Sequence, residues 1–569
     1  MNHRFEFYFV LLMTGLLVVA GLRWCFGPHT RLPRFRVRYL RLRLHLRLHP
    51  GRGHATVFEL WLRWGRLAAF RRSARSRRSL PAWRRLCRPD EHSLVAGRAH
   101  YGHRLRVPVD EHLLVMAPPR TGKTGLLARI ILRYPGPVVS TTTKHDVFEL
   151  TSGIRARTGP VHVFNPQQIG GVASTFWWNP VAGCDDPATA IRRADGFAHA
   201  VSMTGTEDAS FWSSKASSYL RCLFCAAALA GGDMRLVTGW ALGDAEQAED
   251  ILAGAGAVQW AAELAELRSE AQKTAQTIRM VITRALAFMA DPALARSALP
   301  GSGGGFDIGG FLAGRGTLYL IAEAEHDDSP VAPLFAALAG EIHHVAAQVG
   351  QAMPGGRLDP PLLMALDEIV QTCPVPLPAW LADSGGKGIQ LIPVAHGEAQ
   401  LRTRWGKDGA QVVLDTCGVK AWLPGITDTA TLKMASELCG QACFTETVRY
   451  RGTAGRGEDR RAWHDVMSAD MVRQLPAGHA LVIRGGYAPV IARLGAAWKD
   501  PAYKAARRAG TATITLTPAQ AEVPAPAATR TARPAHLTVV PDPGNPAAGR
   551  NSDRPAAGPA PAGYPWSPA

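Results

Sequence analysis

Short, uninterrupted apolar runs alternate along much of the chain with segments whose apolar residues recur every three or four positions. Runs of about four to eight apolar residues are typical of strands buried on both faces of a sheet, and the wider spacing is typical of helices. The runs predict strands at residues 113–116, 138–140, 161–164, 317–322, 361–368, 388–395, 419–423 and 480–484. Because helical patterns separate most of them, the sequence predicts an α/β fold with a parallel sheet, whose ligands bind beyond the carboxyl ends of the strands.

The stretch from about residue 185 to residue 299 lacks any strand-like run. Helical spacing dominates it, most clearly at residues 187–201, 217–230 and 274–289. We therefore predict an all-helical domain, residues 185–300, inserted into the α/β domain. The glycines that follow it are typical of a hinge: Gly301, Gly303, Gly304 and Gly305.

The first apolar run differs from the others in length and surroundings. Residues 7–22 are sixteen uncharged positions, near the lower limit of the ~17–25 residues that cross a bilayer. A membrane anchor, a cleaved signal peptide and a buried core helix all fit the run itself. No small-residue cleavage site follows it, so we predict a transmembrane helix within residues 1–27. Only Arg4 precedes the run, whereas eight arginines follow between residues 23 and 47. The positive-inside rule therefore predicts a single-pass protein of the cell membrane with the bulk of its chain in the cytoplasm.

The formal charge of +18 is concentrated at one end of the chain. The first 100 residues contain 21 Arg and no Lys against four acidic residues, so they account for +17 of the total. We define residues 28–104 as an Arg-rich juxtamembrane region. Residues 40–49 alternate apolar and basic positions like a strand with one basic face. Contact with anionic lipid, contact with nucleic acid and a merely solvated charged surface all fit the region.

Composition sets limits elsewhere. The hydrophobic share of 47% is that of a globular protein, but residues 501–569 are rich in Pro and Ala and predict a disordered tail. The nine cysteines are scattered, which predicts reduced thiols. The close pairs Cys222 with Cys225 and Cys439 with Cys443 lack further ligands nearby, so we interpret them as core thiols and not as zinc sites.

The strand predicted at residues 113–116 ends in the sequence APPRTGKT, which matches the P-loop pattern G-x-x-x-x-G-K-[ST] except at its first position. In a P-loop, backbone N–H groups surround the phosphates, the Lys contacts the outer phosphates and the hydroxyl helps to hold Mg²⁺. A strand before the loop and a helix after it, predicted at residues 125–133, are the expected context. The candidate ATP-binding residues are Ala117, Pro118, Pro119, Arg120, Thr121, Gly122, Lys123, Thr124 and Gly125. Ala117 replaces the first glycine, which puts the geometry of that end of the loop in question.

Two adjacent acidic residues end the strand predicted at residues 361–368. Asp367 and Glu368 follow an apolar run, and in P-loop NTPases a strand of this kind places an Asp beside the Mg²⁺. We predict that Thr124 and Asp367 bind Mg²⁺ and that Glu368 orients or activates the attacking water. Lys123, Asp367 and Glu368 are the candidate catalytic residues.

Polar residues also follow the strand predicted at residues 388–395. A polar side chain at a neighbouring strand end can sense the γ-phosphate, although such a residue is more often simply solvated. The candidates for this sensor or for an arginine finger are His396, Gln400, Arg402 and Arg404.

Taken in order, these motifs resemble the type IV secretion system coupling proteins, the membrane-anchored conjugative DNA-transfer ATPases, particularly the actinobacterial kind. The segments that resemble them are APPRTGKT (117–124), STTTKHDV (140–147), FWWNPVAG (176–183), LLMALDEI (362–369), AQLRTRWG (399–406) and LPGITDTATL (423–432). The resemblance implies a RecA-like domain made of residues 105–184 and 301–500, and a homo-hexameric ring. It also implies ATP and Mg²⁺ as ligands and DNA, a relaxase and channel components as partners. His396 departs from the Gln that relatives tend to have there.

The leading hypothesis is therefore a membrane-anchored ATPase that moves single-stranded DNA, or a relaxase–DNA complex, into a type IV secretion channel. A protein-secretion receptor and a motor for double-stranded DNA have the same motor residues and stay open. A membrane scaffold that binds nucleotide without turnover is the third possibility, which the departures at Ala117 and His396 favour.

Overall fold

The apolar runs of the sequence form the centre of one eleven-stranded sheet. The computed structural model describes residues 53–203, 208–301, 305–323, 329–449 and 457–515. Its strands are β1 Ser93–Arg98, β2 Arg104–Pro108, β3 Leu113–Met116, β4 Val138–Thr142, β5 Val161–Phe164, β6 Thr317–Ile321, β7 Leu362–Leu366, β8 Ile389–Ala395, β9 Val419–Trp422, β10 Gln441–Arg449, β11 Gly457–Asp465, β12 His479–Arg484 and β13 Val490–Arg493. Strands β10 and β11 form a separate hairpin, and the others lie in the order β2-β1-β13-β12-β9-β3-β8-β7-β4-β6-β5.

The sheet is mixed. The seven strands from β9 to β5 in that order are parallel to their neighbours, and β12, β13, β1 and β2 continue the sheet as antiparallel strands. All eight predicted strands are present, and the α/β fold class is confirmed. Alternate side chains of one strand enter different cores: Leu114 and Met116 belong to one, and Leu113 and Val115 to the other. Burial on both faces explains why these strands appear in the sequence as continuous apolar runs.

Twenty α-helices occur in the described ranges. Those that precede β5 in the chain are α1 Val57–Glu59, α2 Arg66–Ser76, α3 Ala82–Cys87, α4 Lys123–Arg133 and α5 Asp146–Arg155. Those between β5 and β6 are α6 Pro187–Ala198, α7 Ala209–Leu229, α8 Met234–Leu242, α9 Glu246–Gly254, α10 Val258–Ser269, α11 Gln272–Ala285, α12 Pro292–Ala295 and α13 Ile308–Ala313. The rest are α14 Ala332–Ala352, α15 Ile369–Thr372, α16 Leu377–Lys387, α17 Glu398–Thr416, α18 Thr429–Cys439, α19 Ala469–Arg473 and α20 Pro501–Arg508.

The helices between β5 and β6 pack on each other and on α14. Arg193 of α6 forms an ion pair with Glu341 of α14 (3.2 Å), and Phe197, Phe224 and Phe288 form an aromatic cluster inside the group. No helix among the described residues is long and apolar enough to cross a membrane. The predicted anchor, residues 1–27, and the alternating residues 40–49 lie outside the described ranges. The division into domains stays a prediction.

None of the eight cysteines in the described ranges forms a disulfide bond. Burial raises the pKa of both the Cys222 thiol and the Cys439 thiol to about 12, which makes them unreactive at neutral pH. The core interpretation of these two residues agrees with their burial.

Two elements of the structure lie within stretches for which the sequence did not predict them. Strand β1 lies inside the stretch assigned to the Arg-rich juxtamembrane region, residues 28–104, because its sequence contains Gly and Arg and so forms no continuous apolar run. The disordered tail does not begin at residue 501, since Pro501–Arg508 is helical and is capped by the Asp500 carboxylate. Beyond it, the Gly153 N–H donates to the Ala512 carbonyl (3.1 Å), and residues up to 515 are described.

His112 gives the fold a dependence on pH. It is 4% exposed, and its Nδ1 accepts a hydrogen bond from the Leu391 N–H (3.1 Å). Burial lowers the pKa of its imidazole to about 4, so the folded chain binds a proton less readily than the unfolded chain. The stability contribution is complete above the unfolded pKa of about 6.5 and is lost as the pH falls to 4. We expect the free energy of unfolding to fall about 3 kcal/mol further in the wild type than in His112→Asn over this interval.

Urea unfolding at pH 7 and pH 4 measures this difference. His103→Asn, at a partly exposed position, is the matched control. Equal losses in wild type and His112→Asn would contradict the assignment.

Candidate active site

The loop between β3 and α4 has a conformation that explains the missing glycine. Ala117 is fully buried, its φ is negative, and its N–H donates to the Ala395 carbonyl of β8 (2.9 Å). The left-handed positions are instead Arg120 (φ 64°) and Gly122 (φ 104°). Because glycine's freedom is needed at residue 122 and not at residue 117, the alanine is compatible with this loop.

The loop presents donors to a ligand. Thr121 Oγ1 donates to the Pro118 carbonyl (2.7 Å), which closes the turn. The N–H groups of Thr121 and Gly122 donate to no atom of the described chain. Helix α4 begins at Lys123, so the N–H groups of its first turn have no partner within the helix. Unpaired N–H groups at a helix N-terminus form a binding site for anions such as phosphate.

Asp367 and Glu368 follow β7 and lie close to Lys123, although β8 separates β7 from the P-loop strand β3. Strand β8 lies between β3 and β7, with Met116 beside Ala395 and Leu366 beside Pro393, so the ends of the three strands are at nearly the same level. Lys123 Nζ lies 3.5 Å from Asp367 Oδ1 and forms a closer ion pair with Glu368 Oε1. The structure therefore brings together the three candidate catalytic residues.

Glu368 has an unusual backbone. Its φ of 49° and ψ of 41° are left-handed, which is rare for a residue with a side chain and common at active sites. Thr372 Oγ1 donates to the carbonyl groups of Asp367 and Glu368 (3.2 and 3.1 Å). Thr141 Oγ1, from β4, donates to the Asp367 carbonyl (2.8 Å). These three hydrogen bonds hold the turn that points both carboxylates at the loop.

Of the four candidates for a γ-phosphate sensor or an arginine finger, His396 contacts the acidic pair. The contacts of the other three are with residues outside the pair. His396 Nε2 lies 2.9 Å from Glu368 Oε1. Gln400 Oε1 accepts the His396 backbone N–H (2.8 Å), which supports the turn after β8. Arg402 forms an ion pair with Glu398 on its own helix, and Arg404 donates to the His199 carbonyl (2.6 Å). Their predicted roles stay predictions.

The two carboxylates have different proton affinities. Burial raises the pKa of Asp367 to about 6 despite the nearby Lys123 ammonium. Burial also acts to raise the pKa of Glu368, but the hydrogen bond with His396 and the charge of Lys123 outweigh it and hold that pKa below its usual value. Glu368 is thus ionised at neutral pH and could accept a hydrogen bond from a water.

The site has carboxylate oxygens that could bind Mg²⁺. Asp367 Oδ1 and Glu368 Oε2 are buried and have no hydrogen-bond partner in the described chain. No group of three or more His, Cys, Asp or Glu in the described ranges could hold a metal by itself. Thr124, Asp367 and phosphate oxygens together form a ligand set of the hard oxygen type that Mg²⁺ prefers. The residues present therefore fit Mg²⁺ with a phosphate ligand.

A cavity beside the loop has residues that the sequence did not indicate. Its volume is about 430 Å³, and Trp498 lines it together with Arg120, Thr121, Gly122, Ala477, Gly478, His479, Arg493, Leu494, Gly495, Ala496 and Lys499. A Cβ on Gly125 would lie 2.7 Å from Cη2 of Trp498. Gly125 is therefore needed for the close approach of this indole, and its contact with nucleotide stays a prediction. An aromatic residue more than 350 positions after the loop gives no sequence signal of its own.

Comparisons with known proteins agree with this architecture. A family profile described as "TraM recognition site of TraD and TraG" matches residues 361–477, which include Asp367, Glu368 and His396. The solved structure of the bacterial conjugative coupling protein TrwBdeltaN70, in its unbound monoclinic form, aligns with a TM-score of 0.53 and 19% identity over 72% of this chain and 91% of that chain. This chain has the TrwB fold.

Two further structures of the same relative give similar values. The trigonal form of TrwBdeltaN70 in complex with sulphate has a TM-score of 0.51, with 18% identity over 72% of this chain and 92% of that one. TrwB in complex with the non-hydrolysable GTP analogue GDPNP has a TM-score of 0.50, also with 18% identity over 72% and 92% of the two chains. No curated protein matches the sequence.

The contact between His396 and Glu368 leads to a prediction. In His396→Ala we expect turnover at saturating ATP to fall about 10- to 100-fold, because a hydrogen bond to a charged group contributes about 1.5–3 kcal/mol. In His396→Gln, whose amide can donate to the same oxygen, most of the activity should return. Steady-state ATP hydrolysis measures both variants, with Gln411→Ala, an exposed substitution on α17, as the control. Wild-type turnover in His396→Ala would exclude the role.

Proposed function

We propose that this chain is a membrane-anchored ATPase of the coupling-protein kind, which uses ATP hydrolysis to move single-stranded DNA, or a relaxase–DNA complex, into a type IV secretion channel. The observation that supports hydrolysis best is the meeting of Lys123, Glu368 and His396 at the ends of three adjacent strands. A site that only held nucleotide would not need a buried, ionised glutamate beside the P-loop lysine.

The chain's own residues divide the chemistry among them. The loop N–H groups and Lys123 bind the phosphates, and Thr124 and Asp367 hold the Mg²⁺. Bound Mg²⁺ neutralises charge that develops on the phosphate oxygens. Glu368, with its pKa held low, orients the attacking water and accepts its proton. His396 positions the Glu368 carboxylate, and Thr141 and Thr372 hold the turn behind it.

The order of the strands supports a RecA-like motor. The loop strand β3 lies between β9 and β8, and the strand with the acidic pair, β7, follows β8. We infer that six copies form a ring in which a neighbour supplies an arginine finger. Arg402 and Arg404 are candidates, since both lie on α17, the helix that follows His396.

The comparisons support a place in conjugation. The profile over residues 361–477 is named for recognition of TraM, so we propose that this stretch contacts a partner protein of the transfer machinery. A relaxase, channel components and DNA complete the proposed partners. The apolar residues 7–22 and the arginines that follow them support an anchor in the cell membrane with the motor in the cytoplasm.

A direct test uses the full chain in detergent or nanodiscs. We expect Mg²⁺-dependent ATP hydrolysis that single-stranded DNA stimulates more than double-stranded DNA of equal nucleotide content. Stimulation by double-stranded DNA alone would favour the double-stranded DNA motor. Hydrolysis that responds to no DNA would favour the protein-secretion receptor, and nucleotide binding without turnover would leave the scaffold.

A further inference from the structure

A second cavity lies between the β1–β2 hairpin and α4. Its volume is about 110 Å³. Four arginines line it: Arg98, Arg104, Arg129 and Arg133. None of them belongs to the nucleotide site described above. So many guanidinium groups around one small cavity need an explanation.

The strand register brings three exposed arginines side by side. Arg98 of β1 pairs with Arg104 of β2 on one side and with Arg493 of β13 on the other. Residues directly opposite each other in antiparallel strands project to the same face, and like charges in such pairs are destabilising. Three adjacent strands therefore place three positive charges in a row beside the P-loop helix.

The chain does not neutralise these charges itself. Buried Asp500 pairs with Arg133 (2.6 Å) and, more distantly, with Arg129 (3.9 Å). Asp90 is shared by Arg133 (3.5 Å) and Arg106 (2.7 Å). Arg98 and Arg104 form no ion pair with any described residue. The carboxylates of Asp90 and Asp500 therefore face five guanidinium groups, those of the four lining arginines and of Arg106, which leaves an excess of three positive charges.

Two further observations indicate unmet interactions around the cavity. Burial, and the nearby charges of Arg133, Arg98 and Arg104, lower the pKa of Arg129 against the opposing effect of Asp500. Tyr134 lines the cavity and is 4% exposed. Its hydroxyl is buried and has no hydrogen-bond partner in the described ranges, and the same holds for Arg106 Nη2.

We propose that this arginine cavity binds a phosphate group. Arginine forks match the oxygens of phosphate in pairs of parallel hydrogen bonds. A free phosphate ion carries about −1.5 to −2 at neutral pH, and a phosphodiester of a nucleic-acid backbone carries about −1, so either group would offset part of this excess of positive charge. The volume of about 110 Å³ is large enough for one such group. The phosphate belongs either to a nucleic-acid backbone or to a free phosphate ion.

The first experiment measures thermal stability of the full chain in phosphate and in chloride of the same ionic strength. We expect phosphate to raise the Tm of the wild type by about 1–3 °C. The double variant Arg98→Ala with Arg104→Ala should lose at least half of this shift. Its matched control, Lys273→Ala with Arg296→Ala, removes two exposed positive charges from the helices between β5 and β6. The P-loop is intact in all three proteins, so its own phosphate binding cancels in the comparison.

The second experiment identifies the source of the phosphate. A fluorescent single-stranded oligonucleotide is titrated against the same proteins at several salt concentrations. If the backbone is the ligand, the double variant should bind at least tenfold more weakly than the control, and its salt slope should fall by about 0.7 for each lost contact. A loss confined to the phosphate experiment would identify free phosphate. If the double variant and the control behave alike in both experiments, the proposal is wrong, whether or not the chain hydrolyses ATP.

Discussion

Glu368→Gln should bind nucleotide and not turn it over. The substitution keeps the shape of the side chain and the oxygen that faces His396 Nε2, but an amide cannot accept the proton of the attacking water. Loss of a general base costs about 10²- to 10⁴-fold in rate. We therefore expect turnover to fall by that factor, while nucleotide affinity stays within a few-fold of the wild type.

The measurement combines steady-state hydrolysis with titration of a fluorescent ATP analogue. Glu437→Gln, which neutralises an exposed glutamate on α18, is the control and should leave both quantities unchanged. Hydrolysis at the wild-type rate by Glu368→Gln would show that the base is elsewhere.

Lys123→Ala should weaken nucleotide binding and also lower the stability of the folded protein. A charge-assisted hydrogen bond to phosphate contributes about 1.5–3 kcal/mol, so its loss should lower the affinity for nucleotide about 10- to 100-fold. Hydrolysis should drop below detection. The same change removes the cation between Asp367 and Glu368, whose side chains are 6% and 10% exposed.

The second effect of Lys123→Ala has a pH signature. Without the ammonium, the pKa of Asp367 rises beyond the value of about 6 that burial already gives it. The Asp367 carboxyl therefore binds a proton at a higher pH in the folded variant than in the unfolded chain. The stability deficit of the variant is then largest near pH 8 and shrinks as the pH falls through the raised pKa of Asp367. Urea unfolding at pH 8 and pH 6 measures the deficit. Lys123→Arg keeps the charge and should show no such pH dependence; a pH-independent deficit in Lys123→Ala would count against the coupling.

Much of the sheet could be predicted because burial on both faces leaves a simple pattern. Strands β3 and β7 are apolar at every position and end in residues with recognisable chemistry, the P-loop and the acidic pair. Strands β1, β2 and β13 were missed because they have only four to six residues and each contains Arg, so none of them forms a long uninterrupted apolar run. Helix α20 did have a signal, Asp500 before Pro501, which is typical of a helix start, but the Pro/Ala composition around it masked that signal.

The residues of the candidate site were also predictable only in part. The P-loop motif predicted Lys123, and Asp367 and Glu368 were predicted because they follow an apolar run directly. The contacts of Thr141 and Trp498 depend on the tertiary structure, which brings together residues that are distant in the chain. Thr372 and Gln400 contact residues only four or five positions away, but no motif indicated those hydrogen bonds. His396 was noticed as a departure from relatives, and its hydrogen bond with Glu368 gives that departure a physical meaning.

The left-handed backbone of Glu368 sets stability against activity at one position. Such a conformation costs a residue with a side chain about 1–3 kcal/mol, and glycine would adopt it without strain. Selection for a more heat-resistant chain would therefore favour loss of the very carboxylate on which turnover depends. An engineering effort on this protein should hold residue 368 fixed and seek its gains elsewhere.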